Sequence, residues 1–403
     1  MEIFGNRVSR KAENKAIKRQ KKFIKKFGDD RNKEYHLGLE DNSVITSHFG
    51  AKNIVIADEK NLAMPEKPII IGNIRMGFGH YRISMAMASA AHRLGYTPLW
   101  LDLNSFPQTT CTKIISYQNY LYSKGSRLSQ KCSLFNKIVW EPLNYNGFKR
   151  LSYNVDDQKN AELMTPIFRE IQKDTPFIAT HVWPAQAAIH AGMKHVVNAI
   201  PDNWPMALHL AEGALHTVQT YNCYFGYKTL HGFDGKKILK PMADKDIIYT
   251  GHYVDDELVQ NIEEDCEKRC DRATNKKPLR FLLSIGGAGA QCDFFAKIIK
   301  ALIPYVKQEK ACIYLNCGDH LDVWENMKKR IIELGGQELF HPHFDNWKEQ
   351  IDFADKAVSN TDDFSSSGIH VFFNNDIFAA VYITNLLIRA TDILVTKPSE
   401  LSF

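Results

Sequence analysis

The chain has 403 residues, of which 44% are hydrophobic and 24% charged, and its formal net charge is +5. That balance is typical of an ordinary soluble, globular protein with room for two buried cores. No apolar run approaches the roughly 20 residues that cross a bilayer, and the first residues lack the apolar core of a secretory signal. Eight cysteines without CxxC or zinc-type spacing predict a reduced, cytoplasmic setting.

The amino terminus carries the positive charge. Residues 1–40 contain 12 Lys or Arg and 6 Asp or Glu, a balance of +6, so the other 363 residues sum to −1. A neutral body gives no electrostatic case for nucleic acid. Wound as a helix, residues 7–27 separate an apolar half from a basic half, as in helices that lie on anionic membranes. We expect this segment to contact an inner membrane face as a peripheral anchor; a helix docked on the body and a disordered arm are the alternatives.

From residue 63 the chain alternates short apolar runs with helix-like segments, which predicts parallel sheets covered by helices on both faces. The predicted fold class is α/β, with two Rossmann-like domains and a cleft between them at the carboxyl ends of the strands. The predicted divisions are a basic extension (1–62), a first domain (63–253), a charged connector (254–278) and a second domain (279–403). Helices are expected near 80–94, 185–192, 292–306, 322–334 and 376–388. Residues 340–370 read as an insertion.

The stretch GNIRMGFGHYRIS, residues 72–84, is a predicted strand-to-helix turn with unusual chemistry. Gly77 and Gly79 permit backbone conformations that a Cβ would prevent, and the helix after them has exposed amides suited to an anion. Arginine can bind phosphate or carboxylate, and histidine can accept a proton near neutral pH. The turn therefore predicts a ligand site that includes Arg75, His80 and Arg82. A capping histidine with two solvated arginines is the alternative.

A second glycine turn, SIGGAGAQ at 284–291, follows a buried strand in the second domain. Gly286, Gly287 and Gly289 would form a nest of amides for a pair of phosphates. His181 sits at a predicted strand end facing the cleft, and we count it as a candidate. The remaining histidines are expected to be structural; His209 and His216 are expected on a helix, and His341 and His343 flank a proline. The Asp-Lys-Asp at 244–246 reads as solvated.

Five segments follow one another in a recognisable order: MGFGHYRISMAMASAAHRLGY, THVWPAQAAIHAGMKHVVNAIPDNWP, IIYTGHYV, FLLSIGGAGAQ and ATDILVTKPSE. This order resembles that of the GT-B glycosyltransferases, particularly the monogalactosyldiacylglycerol synthases and the peptidoglycan lipid-linked N-acetylglucosaminyltransferases. The resemblance spans roughly residues 66–400. It implies transfer of a sugar from a nucleotide-activated donor, with a uridine diphosphate sugar as co-substrate, to a lipid or cell-envelope acceptor. It implies no catalytic metal and no other cofactor.

The resemblance also implies roles for individual residues. His80 would be the base or an acceptor contact, and Asp202 would line the same cleft. The acceptor side would also include Arg75, Gly77, Gly79, Arg82 and His181. The donor side would comprise Gly286, Gly287 and Gly289 at the diphosphate, Phe373 and Asn374 at the base, Thr396 and Lys397 at the phosphates or sugar, and Glu400 at the ribose.

The chain departs from the family pattern in ways that keep alternatives open. KPSELSF contains fewer glycines between Lys-Pro and Glu than the family's late motif, and TGHYV lacks the usual proline. The second domain ends early relative to the family, in which further helices would follow Phe403. A nucleotide-sugar 2-epimerase-like enzyme and a non-catalytic nucleotide-sugar-binding protein are the two alternatives to a transferase.

Overall fold

The structure is a computed structural model that describes residues 1–60, 62–75, 78–285, 292–359 and 367–396. The chain divides into two compact units. Unit 1 comprises Met1–Met76 and Ile83–Tyr253, and unit 2 comprises Gly77–Arg82 and Val254–Phe403. Each unit is built on its own sheet.

Unit 1 contains a two-stranded hairpin and an eight-stranded sheet. The strands are β1 (Glu2–Ile3), β2 (Asn6–Arg7), β3 (His36–Asp41), β4 (Lys52–Ala57), β5 (Pro68–Asn73), β6 (Thr97–Asp102), β7 (Phe177–Ala179), β8 (Val196–Ala199), β9 (Leu215–Val218) and β10 (Ile247–Tyr249). The sheet order is β10-β9-β8-β7-β5-β6-β4-β3, and every pair is parallel except β3 with β4. The predicted α/β class is confirmed, and the antiparallel edge strand makes this sheet mixed.

Helices cover the sheet of unit 1. They are α1 (Arg10–Phe27), α2 (Ile45–Phe49), α3 (Phe78–Arg93), α4 (Thr110–Lys131), α5 (Ser133–Phe135), α6 (Leu151–Ala161), α7 (Val182–His190) and α8 (Tyr221–Thr229), with π-helical segments at Asn136–Trp140 and Leu143–Gly147 and 3₁₀ segments at Glu162–Phe168, Ala207–His209 and Asp244–Asp246. The central strands are near-continuous apolar runs because a parallel sheet is buried on both faces.

Residues 1–62 are part of unit 1. β3 and β4 extend its sheet, and α1 packs along α6 with Ala16 buried. Phe23, Ile24 and Phe27 pack against the main core. The apolar half of α1 is therefore covered by protein, which matches the docked-helix alternative. Membrane contact through residues 7–27 stays a prediction, and only the basic half of the helix is exposed for it.

Unit 2 contains a five-stranded, fully parallel sheet in the order β13-β14-β12-β11-β15. Its strands are β11 (Leu279–Ser284), β12 (Ala311–Asn316), β13 (Phe340–Phe344), β14 (Gly368–Phe373) and β15 (Ile393–Thr396). Its helices are α9 (Asp256–Gln260), α10 (Ile262–Thr274), α11 (Cys292–Lys307), α12 (Leu321–Glu333), α13 (Trp347–Ser359) and α14 (Ile377–Arg389), with a 3₁₀ turn at Gln337–Leu339. α11, α12 and α14 lie within one residue of the predicted bounds.

The described part of residues 340–370, which read as an insertion, supplies edge strand β13, helix α13 and the start of β14, so it is part of the sheet layer of unit 2. Pro342 is tolerated there because one side of an edge strand needs no partner. The charged connector, whose sequence predicts a helix and a linking segment, contains α9 and α10, and part of its charge is buried. Arg272 is 2% exposed and binds Asp392, while Asp265 binds Arg389. Ion pairing, rather than solvation, accounts for these charges.

No helix in the described part of the chain is both long enough and apolar enough to cross a bilayer.

Candidate functional site

The sheet of unit 1 changes direction at β5. The chain leaves β5 for β6 on one side, and β7 lies on the other side. In open α/β sheets, ligands bind outside the carboxyl ends of the strands at such a switch point. The segments that follow β5, β7 and β8 therefore form the edge of unit 1 at which a ligand is expected.

Asn73 ends β5 at this switch point. Its side chain is fully buried, and neither its Oδ1 nor its Nδ2 has a hydrogen-bond partner. Its register partner on β6 is Asp102, which is 4% exposed. An unpaired buried amide lowers the free energy of unfolding by about 1–3 kcal/mol. The fold therefore keeps a destabilising polar side chain at this position. The signal for Asn73 in the sequence is its position as the polar residue that ends the run PIIIGN.

His181 lies just after β7, where the sequence predicted it. The backbone N–H of Trp183 donates to its Nδ1 at 3.2 Å, so His181 is the amino-terminal cap of α7. Its ring meets the Trp183 ring edge-on at 4.8 Å between centroids. Because Nδ1 accepts a hydrogen bond, Nε2 carries the proton of the neutral ring. His181 is thus a buried cap of α7, as its position after β7 allows.

Asp202 lies on the loop that follows β8, and buried side chains hold this loop by its backbone carbonyls. Asn154 donates to the carbonyls of Ala207 and Leu210, Asn198 to that of His209, and Gln219 to that of Pro201, at 2.6–2.8 Å. Each bond satisfies a carbonyl that would otherwise be costly to bury. The loop therefore presents Asp202 from a fixed backbone.

Asp202 and His209 form a pair at this loop. Asp202 Oδ2 lies 2.7 Å from His209 Nε2, which is ion-pair distance, although the angle falls short of a well-formed hydrogen bond. The predicted helix for the neighbouring histidines is wrong: His209 sits in a 3₁₀ turn, and His216 sits in β9. His216 is structural, since it accepts from Ala211 N and donates to the Asp246 carbonyl. Burial lowers its pKa to about 4.

An open groove of about 410 Å³ lies beside the same loop. Three aromatic rings line it, those of Trp140, Tyr145 and Trp204, together with the polar side chains of Asn136, Glu141 and Asn144. The Tyr145 and Trp204 rings lie 5.7 Å apart. A groove of aromatic faces with a few amide and carboxylate groups suits a ligand that has both apolar faces and hydroxyls.

A buried acid, Asp157 of α6, lies behind the edge. Burial raises the pKa of Asp157 to about 8. The nearby Trp183 indole lowers this pKa by a smaller amount than burial raises it, and the charge of Asp156 raises it further. Its Oδ2 has no hydrogen-bond partner. Asp157 is therefore protonated at neutral pH, as groups at functional sites often are when burial perturbs them. A single aspartate in a helix gave no signal in the sequence.

The first glycine turn is described only in part. Arg75 is exposed; its N–H donates to Asn104 Oδ1 at 2.8 Å, and its carbonyl accepts from Asn119 Nδ2 at 2.9 Å. Gly77 lies outside the described residues. Gly79, His80 and Arg82 are in the first turns of α3, within the segment that groups with unit 2.

Arg82 belongs to unit 2 and bonds within that unit. Its Nη2 donates to Asn385 Oδ1 at 3.1 Å, and Asn385 also bonds Asp255. Burial raises the pKa of Asp255 to about 6, although the Arg82 charge opposes that rise. Arg82 therefore has internal partners of its own, which leaves less of its guanidinium for a ligand anion.

The donor residues are described unevenly. Thr396 ends β15 and is the register partner of Ser284, which ends β11. Phe373 is buried, and its carbonyl already accepts from Asp345 N and Gln350 Nε2. Asn374 N donates to the Gly318 carbonyl. The prediction that Phe373 and Asn374 contact the base gains no support from these bonds. Gly286, Gly287, Gly289, Lys397 and Glu400 fall in segments that the structure does not describe.

Metal ligands do not cluster in the described ranges, where no group of three or more His, Cys, Asp or Glu could hold an ion.

Comparisons with known proteins identify two matching families, and both are of unknown function. Residues 2–229 match the family model described as "Domain of unknown function (DUF6937)", and residues 242–403 match the one described as "Domain of unknown function (DUF6938)". No curated protein and no solved structure matches the chain. Asn73, Asp157, Asp202 and His209 all fall within the first match.

Proposed function

Since the chain belongs to the DUF6937 family, whose model spans more than half of its residues, we propose its function from the site itself. We propose a glycosyltransferase that moves a sugar from a nucleotide-activated donor to a hydroxyl of an acceptor bound on unit 1. The GT-B arrangement, with metal-independent transfer, is part of this proposal. Unit 2, with its parallel sheet, would bind the donor.

One observation carries the proposal: the Asp202–His209 pair lies on the same loop as Trp204, a wall of the aromatic groove. A carboxylate within reach of a hydroxyl is a general base, and a buried imidazole behind it fixes its position. Aromatic faces can pack on the C–H faces of a sugar ring, while Glu141, Asn136 and Asn144 can bond its hydroxyls. The groove therefore suits an acceptor that contains sugar or polyol.

The reaction needs one proton acceptor and one leaving group. As the acceptor oxygen attacks the anomeric carbon, its proton passes to Asp202, and the bond from that carbon to the diphosphate oxygen breaks. The diphosphate leaves with the bonding electron pair, and donors that face it stabilise its charge. The predicted amides of Gly286, Gly287 and Gly289 would supply that stabilisation. His80 stays a second candidate for the base.

The test uses the purified full chain with uridine diphosphate sugars and octyl glucoside, an amphiphilic sugar of the class for which the groove is proposed. We expect slow release of uridine diphosphate without acceptor and faster release with it. Asp202→Asn should abolish the acceleration, while Asp174→Asn, an exposed aspartate before β7, should not. Formation of an isomeric sugar nucleotide without free nucleotide would identify an epimerase. A thermal shift with nucleotide but no turnover would identify a binding protein. Either result would refute the transferase.

A further inference from the structure

The segment from the middle of α4 to the end of the second π-helical segment does not share the core of unit 1. In α4 the buried residues all lie within Thr110–Ile115, and from 116 to 147 no residue is buried. α5 and both π-helical segments bury nothing. We call residues 116–147 the outer hairpin.

The outer hairpin is nonetheless rich in apolar side chains. Leu134 is 66% exposed and Ile138 is 63% exposed. The exposed aliphatic residues of the segment are Leu121, Leu128, Leu134, Ile138, Val139 and Leu143. Single exposed leucines are normal, but a run of them along one helical segment marks an interaction surface. The pattern differs from that of α1, whose apolar side chains pack on the unit.

The hairpin holds its shape by contacts of its own. The Trp140 ring packs on Gly125 so closely that a Cβ there would lie 2.4 Å from the ring. Tyr122 adds a ring contact with Trp140 at 5.1 Å between centroids. These contacts join α4 to the first π-helical segment. The aliphatic residues are therefore exposed on a formed element.

The charge around these residues identifies the partner. Residues 110–150 contain seven Lys or Arg and a single acid, Glu141. Aromatic side chains accompany them, with Tyr120 and Tyr145 exposed and Lys149 Nζ 4.4 Å from the centre of the Trp204 ring. Aliphatic, tyrosine and tryptophan side chains interspersed with lysines are typical of surfaces at the boundary between acyl chains and anionic headgroups.

We propose that the outer hairpin docks the protein on an anionic phospholipid bilayer, with Leu134 and Ile138 among the side chains that enter the acyl boundary. A second copy of the chain fits this surface less well, because two surfaces with the same excess of positive charge repel each other. The surface is distinct from the basic half of α1. The proposal does not depend on the proposed transferase activity, although Trp140 and Tyr145 of the outer hairpin also line the aromatic groove.

The test is co-sedimentation of the full chain with vesicles of phosphatidylglycerol and phosphatidylcholine, and with vesicles of phosphatidylcholine alone. We expect binding to the anionic vesicles only, weakened by salt. The variant Leu134→Ser/Ile138→Ser should bind anionic vesicles at least about tenfold more weakly, because two apolar side chains no longer move from water into the acyl boundary. Ile238→Ser is the matched control, because Ile238 is 96% exposed and stands among lysines elsewhere in unit 1.

Charge variants separate the two basic surfaces. Lys131→Gln/Lys137→Gln in the outer hairpin should weaken vesicle binding more than Lys18→Gln/Lys22→Gln in α1 does. The substituted positions are exposed, so circular dichroism and the melting temperature should match the parent chain.

Three outcomes would overturn the proposal: no binding of the parent chain to anionic vesicles, equal binding of Leu134→Ser/Ile138→Ser, or sedimentation equilibrium showing a dimer that these two substitutions dissociate in place of vesicle binding. Vesicles here contain neither donor nor acceptor, and turnover on soluble octyl glucoside should be the same for the parent and Leu134→Ser/Ile138→Ser. Failure of one proposal is therefore distinguishable from failure of the other.

Discussion

Asp202 and His209 lie on one loop, with Oδ2 of the carboxylate 2.7 Å from Nε2 of the imidazole. The side chain of Asp202 is 36% exposed, whereas that of His209 is 4% exposed. The exposed member can meet a ligand, and the buried member can only act through it. His209 is therefore a positioning residue, and Asp202 is the candidate that would touch the substrate.

This division of roles predicts unequal losses. Asp202→Asn should lower kcat about 10²–10⁴-fold, because the amide cannot take the acceptor proton. His209→Gln should lower kcat less, because the base remains. It should leave the thermal shift with uridine diphosphate unchanged, because the donor is proposed to bind on unit 2. Steady-state kinetics of both variants, with Asp174→Asn as the control, checks the order. A larger loss for His209→Gln than for Asp202→Asn would contradict these roles.

Asp157 predicts a pH dependence of stability. Burial raises its pKa to about 8, while the unfolded value is about 3.9. Between these values the folded state binds the extra proton, so this group lowers the free energy of unfolding as the pH rises, by at most about 1.4 kcal/mol per pH unit. Asp157→Asn should remove that slope. Its gain in stability over the parent chain should grow from pH 5 to pH 8 in urea unfolding, and parallel curves would exclude the effect.

Asp30 provides a control of opposite sign in the same unit. Burial alone would raise its pKa, but the Thr110 N–H, the Tyr35 hydroxyl and the Lys33 ammonium together lower it. A carboxyl whose pKa is lowered by folding stabilises the fold at any pH above its pKa in the unfolded state. That contribution is lost as the pH falls through its pKa in the folded state. Asp30→Asn should therefore be most destabilised near neutral pH and least so in acid. The same trend for Asp30→Asn and Asp157→Asn would show that neither slope arises from its own carboxyl.

Gly72 of β5 predicts a packing defect at the switch point. A Cβ there would lie 2.3 Å from the Phe177 ring, and that ring is fully buried. Gly72→Ala should therefore lower the free energy of unfolding by about 1–3 kcal/mol, the usual cost of overpacking. Gly38→Ala in β3 is the matched control, because the nearest atom to its Cβ is Ala57 Cβ at 3.4 Å. Chemical denaturation of the two variants compares them, and equal losses would count against the contact.

The buried pair in unit 2 predicts a strong loss of stability. Asp392 accepts from both the Arg272 side chain and the Arg280 backbone N–H, and Arg272 is 2% exposed. Asp392→Asn should cost about 3–5 kcal/mol, because it leaves a buried charge without its counterion. The double variant Arg272→Met/Asp392→Asn should recover part of that loss. A double variant less stable than Asp392→Asn alone, measured in urea, would show that the ion pair is not the cause.

Local patterns fixed much of the fold in advance. Alternating apolar runs and helix-like segments predicted an α/β chain with parallel sheets, and the apolar faces of α11, α12 and α14 located those helices within one residue. These features depend on the periodicity of nearby side chains, which a sequence displays directly. The strand at residues 340–344 was not predicted, because β13 is a short edge strand that contains Pro342 and its identity comes from pairing with β14.

The candidate site divides in the same way. His181 was named as a candidate because it follows a strand, and a strand end is visible in the sequence, whereas Asp202 was named from the resemblance to the GT-B enzymes. His209, Asn73 and Asp157 were not found as site residues. His209 was expected on a helix, and its importance depends on the fold of the loop that carries it toward Asp202. The burial of Asn73 and Asp157 depends on elements distant in the chain.

By itself, the sequence determined the class of the fold, the positions of several helices and the basic amphipathic character of the first one, because local periodicity and charge set these properties. Only the tertiary structure decided which apolar surfaces are covered and which polar groups lose water. The apolar half of α1 is covered and that of the outer hairpin is exposed, although both read as amphipathic or apolar helix. Burial is a property of all neighbours together, and most neighbours of a buried atom are remote in sequence.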